Sequence, residues 1–298
     1  MSQSNINKAL YIETPTTHLR LHSLIYELLN QGITDLNCID TSEITDFSFL
    51  FSNRTPHIEE IDISRWNVSN GKTFLHMCKN ADKFNCDLSQ WDVSNAENMQ
   101  GMFQGCKSFT SDLSQWDVRK CTTFNNMFYL CESFESDLSQ WKVDACENFA
   151  FMFCGATKFN SDLSNWHVDN GGIFKSMFNG CYYFNSDLSN WHVDRASDLS
   201  HMFSMCYDFN SDLKDWHVDI CQNFDYMFYK CNHFNSDISS WNVSEGTSFK
   251  HMFEDCFIFN QDLSKWNVTV SATDLSSMFK NCTEGDGRRC YKCGSRST

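Results

Sequence analysis

The sequence predicts an α/β repeat solenoid, leucine-rich-repeat-like, with one short parallel β-strand and one short α-helix per 25-residue repeat. Three observations predict it. All nine tryptophans fall on one series from Trp66 to Trp266, through Trp91, Trp116, Trp141, Trp166, Trp191, Trp216 and Trp241, with a constant step of 25. Valine follows each tryptophan by two residues, and residues i and i+2 of a strand share a face. After each strand comes an apolar stripe such as Met99, Met102, Phe103 and Cys106, the i, i+3, i+4, i+7 spacing of a short amphipathic helix.

Residues 1–33 form a capping segment. Leu21, Leu24, Ile25, Leu28 and Leu29 make an amphipathic helix stopped by Gly32, placed to cover the open edge of the first repeat. The repeat region spans 34–284. It begins with a degenerate unit in which Ile39 and Thr41 take the Trp and Val positions and Leu50-Phe51 stand where later repeats carry Met-Phe. Two extra residues around TPHIEE shift the register once before Trp66. In a regular unit, Leu88-x-x-Trp91-x-Val93 has leucine-rich spacing and turns Trp91 and Val93 inward. Three residues after each tryptophan, eight of the nine repeats place a good helix N-cap, among them Ser94, Asp144, Asp169, Asp194, Asp219 and Thr269. One residue is inserted before Met278, and residues 285–298 form a basic tail with Cys290-x-x-Cys293. No single repeat can bury its own Trp and Phe, so each depends on its neighbours and the tryptophan row is core.

The net charge of −15 argues against nucleic acid, whose phosphates require clustered Lys and Arg. Ten aspartates at one repeat position, Asp35, Asp62, Asp87 and onward to Asp262, make part of that acidity architectural. A turn-stabilising role, each carboxylate accepting backbone N–H groups, is preferred over calcium bridging for this column. No apolar run at the N-terminus is long enough for a signal peptide, and no stretch is suited to cross a membrane. Ten of the sixteen cysteines occupy two repeat columns, where they alternate with Ala, Gly and Ser. Such positions want a small buried side chain, and reduced thiols are expected.

The string FNSDLSNWHV, followed by a segment bearing x-M-F-x-x-C, resembles the BspA-like repeat family over roughly residues 35–284. These are 25-residue leucine-rich-type repeats of mycoplasma and other bacterial surface proteins, also found in protists and large DNA viruses. The resemblance implies surface display, adhesion or host interaction, and brings no catalytic residues. Without an export signal, the cytoplasm or a virion is the expected location, with an adhesin exported unconventionally as the alternative.

Function should lie where the repeats differ. Tyr182, Tyr183, Tyr207, Phe257 and Ile258 replace the Lys, Glu, Ser and Thr of earlier repeats, and such an aromatic rim reads as a partner-binding surface. His167, His192 and His217, at the position after Trp, join them as candidate partner-binding residues; a solvated polar face is preferred there over a metal patch. Cys290 and Cys293 are half of a zinc site and read as a loose tail. No nucleophile–base pair or phosphate loop stands apart from the repeat, so neither enzyme activity nor a cofactor is expected. The expected function is a non-catalytic protein–protein interaction or structural scaffold. Its expected partner is another protein: a copy of the chain, a capsid protein or a host protein. A metal-dependent binding module is the further alternative.

Overall fold

A computed structural model describes residues 13–268, 275 and 277–282. The chain opens with α1, His18–Leu29, whose N-cap Thr17 accepts the Arg20 N–H. Leu21, Leu24, Ile25 and Leu29 are buried, and the turn beyond closes at Gly32 with φ 75°, a conformation glycine adopts without steric cost. These residues join one continuous core with the first coil, so α1 covers the beginning of the stack.

Beyond α1 the repeats lie one on another as coils. Isolated parallel bridges run in a row through Thr73, Asn98, Thr123, Asn148, Ile173, Asp198, Asn223 and Ser248, each 25 residues from the next. Asp35–Asp62 and Asp46–Thr73 are instead 27 apart, which places the two-residue insertion where the sequence has it. At the far end Phe228 N–H reaches Met252 O, whereas Phe253 N–H reaches Met278 O, one residue later. The degenerate first coil packs like the rest: Ile39, Leu50 and Phe51 are buried, and the Thr41 hydroxyl donates to Asn67 O. Thr269, Cys290, Cys293 and the basic tail lie outside the described residues.

The elements inside each coil differ from those expected. Among the described residues α1 is the one helix, and the Leu-x-x-Trp-x-Val segment is a run of turns. Trp91 N–H closes onto Leu88 O and Ala96 N–H onto Val93 O. A strand ladder fails here because side chains have taken the backbone groups it needs. The Leu88, Leu113, Leu138, Leu163, Leu188 and Leu213 N–H groups each donate to a serine Oγ of the next coil at 2.7–3.0 Å. The carbonyls of the same column accept the indole N–H of the tryptophan in the next coil, at 2.9–3.1 Å in all nine cases. A backbone N–H or C=O already bonded to a side chain of the adjacent coil is not free to join a sheet ladder.

The expected helix is also a chain of turns. Met99, Met102, Phe103 and Cys106 are all buried, as the stripe requires, but Gly101 and Gly105 have φ of 58° and 77°. A left-handed residue every fourth position cannot continue a right-handed helix. Alternate N–H groups instead cross to the next coil, from Met99 to Thr123 O, Gly101 to Asn125 O, Phe103 to Met127 O and Gly105 to Tyr129 O. The intervening ones close local turns, Met102 onto Met99 O, Gln104 onto Gly101 O and Cys106 onto Phe103 O. In other coils Asn126, Leu130, Phe151, Met205 and Tyr226 accept the same strained φ, at about 1–2 kcal/mol each. The inter-coil bonds and the buried stripe offset that strain.

Aromatic ladders fill the core. The rings of Phe103, Phe128, Phe153, Phe178, Phe203, Phe228 and Phe253 stack at 5.6–5.8 Å. Trp91 and Trp116, Trp141 and Trp166, and Trp166 and Trp191 lie parallel at 6.3–6.4 Å. This separation exceeds the ~4.8 Å rise between paired backbones, so the rings are offset rather than eclipsed, the arrangement aromatic quadrupoles favour. The main cysteine column serves the same packing: Cys106, Cys131, Cys181, Cys206, Cys231 and Cys256 donate S–H to a carbonyl of the coil before at 2.8–3.1 Å.

Candidate functional site

The turn face carries the aspartate column. Each of the ten carboxylates accepts the backbone N–H two residues on, at 2.9–3.0 Å, as in Asp87 with Ser89 and Asp162 with Ser164. Ser136, Ser161 and Ser186 add a hydroxyl to Asp112, Asp137 and Asp162. Bonds from the serine two residues on hold the Asp62, Asp112, Asp137, Asp162 and Asp237 carboxyls below the usual range, led by its backbone N–H at Asp112, Asp137 and Asp162 and by its hydroxyl at Asp62 and Asp237. The column is therefore occupied by its own backbone. A hollow of about 610 Å³ lies beside Asp112, Asp137 and Gln115, but Glu135 on its wall pairs with Lys158 at 3.3 Å.

His167, His192 and His217 stand on the same face, each about two-thirds exposed. His167 Nδ1 lies 3.5 Å from Asp144 and His192 Nδ1 3.1 Å from Asp169, both carboxylates of the preceding coil, while His217 faces Asp219 of its own coil at 3.8 Å. The N-cap role expected of these aspartates is not taken up, because no helix follows them. Elsewhere in that row Asp92 accepts the Ser94 N–H and Asp117 the Arg119 N–H, so the position after Trp begins a further side-chain turn. Among the described residues no group of three His, Cys, Asp or Glu is placed to hold a metal ion.

The rim is different. Tyr183, Phe257 and Ile258 are 60%, 49% and 49% exposed. Tyr182 and Tyr207 are half-buried and stack at 5.1 Å, with Tyr207 N–H bonded to Tyr182 O. The structure thus aligns the tyrosines of neighbouring coils and leaves Phe257 two coils farther on in the same column.

A second cluster lies at a repeat position whose residues gave no signal of their own in the sequence. His201, Tyr226 and His251 stack successively at 4.7 and 4.6 Å, and the buried Glu254 bonds both His251 and Lys280. Burial raises the Glu254 carboxyl, but the Lys280 and His251 contacts outweigh it and leave the group below its usual range. Burial pushes the His201 imidazole down. Lys230 lies over the Tyr229 ring at 5.1 Å. The available signal was the repeat position itself, where Gly101, Asn126 and Ser176 stand in other coils and rings replace them here.

No helix among the described residues is long and apolar enough to cross a membrane. No curated protein and no solved structure matches the chain. The family model described as "Mycoplasma protein of unknown function, DUF285" matches residues 21–141, 105–216 and 173–288, overlapping segments that run from α1 to the last coils. The chain accordingly belongs to that repeat family.

Proposed function

We propose that the chain is a non-catalytic interaction scaffold, a solenoid whose rim presents aromatic side chains to another protein. The observation that carries this reading is the rim itself. On the turn face the recurrent carboxylates are bonded to their own backbone, whereas Tyr183, Phe257 and Ile258 stand exposed where earlier coils carry Lys83, Glu132 and Ser133. Aromatic residues contribute disproportionately to protein interfaces, and such a patch is costly to leave in water. The similarity to BspA-like repeats supports contact rather than chemistry as the role. The thiol columns, bonded to buried carbonyls, fit the reducing setting of a cytoplasm or of a virus particle assembled there.

Cross-linking in native material followed by mass spectrometry names the partner. The triple variant Tyr182→Ala, Tyr207→Ala, Phe257→Ala is expected to weaken that partner's binding at least tenfold while the chain stays folded. Unchanged affinity overturns the choice of the rim.

A further inference from the structure

The rim holds a symmetry that the interface reading, on which this inference rests, does not itself require. Two adjacent columns run along four coils: Tyr182, Tyr207, Asn232 and Phe257 in one, Tyr183, Asp208, His233 and Ile258 in the other. Backbone bonds keep successive members in register, with Tyr207 N–H on Tyr182 O at 3.1 Å and His233 N–H on Tyr207 O at 3.2 Å. Asp208 Oδ1 lies 3.3 Å from His233 Nδ1, both side chains well exposed. The second column therefore has ring and aliphatic side chains at its ends and a carboxylate beside an imidazole in the middle. Because the coils are evenly spaced, reversing the column about an axis between its second and third members sets Tyr183 against Ile258 and Asp208 against His233. In the first column the same operation sets Tyr182 against Phe257.

We propose that this rim is a two-fold interface through which two copies of the chain pair antiparallel. A closed two-fold contact requires a surface complementary to its own reverse, and these two columns are such a surface. Charge favours the site as well. Two chains of net charge −15 repel over most of their surfaces, whereas here each carboxylate meets an imidazole of the other copy. Parallel pairing of the same columns sets Asp208 against Asp208 and is disfavoured. Eight side chains on each copy make a contact below the standard ~1,600 Å² of stable complexes, so the pair is a weak, reversible dimer.

Sedimentation velocity across a hundredfold concentration range, at mildly acidic pH, tests the pairing. Wild type is expected to show a reversible monomer–dimer equilibrium. Asp208→Lys alone and His233→Asp alone each weaken it at least tenfold, since each sets like charges together twice. An equimolar mixture of the two variants recovers the dimer in trans, which a purely intrachain role for the pair does not allow. The double variant Asp208→Lys/His233→Asp recovers it as well, which parallel pairing does not allow. Tyr183→Glu, at an exposed position, provides a second disrupting variant should either charge change affect folding. A wild-type chain monomeric throughout, or a mixture that stays monomeric, overturns the proposal. A monomeric chain whose cross-linked partner is still lost on the rim alanine substitutions overturns self-pairing alone and leaves the interface reading standing.

Discussion

Ser186→Ala isolates the device that replaces a strand ladder in this chain. Ser186 is almost fully buried; its Oγ accepts the Leu163 N–H at 2.7 Å and donates to Asp162 Oδ1 at 3.4 Å. Alanine removes the acceptor and leaves the N–H of a fully buried leucine facing a methyl group. An orphaned buried donor costs about 1–3 kcal/mol, and no backbone carbonyl of the next coil is bonded there to replace it. The junction of the first two regular coils provides an internal comparison: Cys86 occupies the serine position and its Sγ accepts the Ile63 N–H at 3.4 Å. Ser186→Cys is therefore expected to cost about half as much as Ser186→Ala, sulfur being the weaker acceptor. Urea melts followed by tryptophan fluorescence give both values, and in a stacked array the loss is felt chiefly at the junction of the two coils concerned. An alanine variant within about 0.5 kcal/mol of wild type would refute the reasoning, since that is the range of ordinary surface substitutions. Equal costs for Ala and Cys would show that the hydroxyl's bond to Asp162, rather than capping of Leu163, is what matters.

Three further predictions follow from the same geometry. Trp166→Ala, which empties a fully packed ladder position and frees Leu138 O, is expected to cost about 3–5 kcal/mol, whereas Trp166→Phe keeps the stack and loses mainly the indole bond, about 1 kcal/mol; denaturant melts separate the two. Gly101→Ala puts a Cβ 2.1 Å from His76 Nδ1 on a backbone at φ 58°, so it destabilises by more than the ~1–2 kcal/mol of the backbone strain alone. The excess should vanish in a His76→Ala background, and a cost unchanged there would place the strain elsewhere. The aspartates with depressed carboxyls stabilise the fold when charged; that contribution is complete above the unfolded value near pH ~4 and is lost as pH falls through the lower folded values. Melting temperature should therefore be flat from these groups at pH 5–7 and fall below about pH 4, and a chain equally stable at pH 3 contradicts the assignment.

The chain's own residues determine the period, the inward face and the breaks in register. Trp, Val and the Met-Phe-Cys stripe recur because one coil cannot bury them alone, so their spacing records stacking whatever path the backbone takes. The role of the aspartates was legible for a related reason, since an Asp two residues before a serine N–H forms its turn locally. Backbone form was not legible. Met99, Met102, Phe103 and Cys106 share a face on an α-helix and equally on a ladder of turns with left-handed residues at Gly101 and Gly105. What decides between them is where alternate N–H groups find acceptors, and those acceptors, such as Asn125 O and Met127 O, belong to the next coil. The same holds at the surface. The tyrosines of the rim can be picked out of the sequence as departures from the repeat, but the stacking of His201, Tyr226 and His251 and the pairing of Asp208 with His233 join residues about 25 positions apart. Only the stack brings those side chains within a few ångströms of one another, because its rise per coil is shorter than the side chains are long.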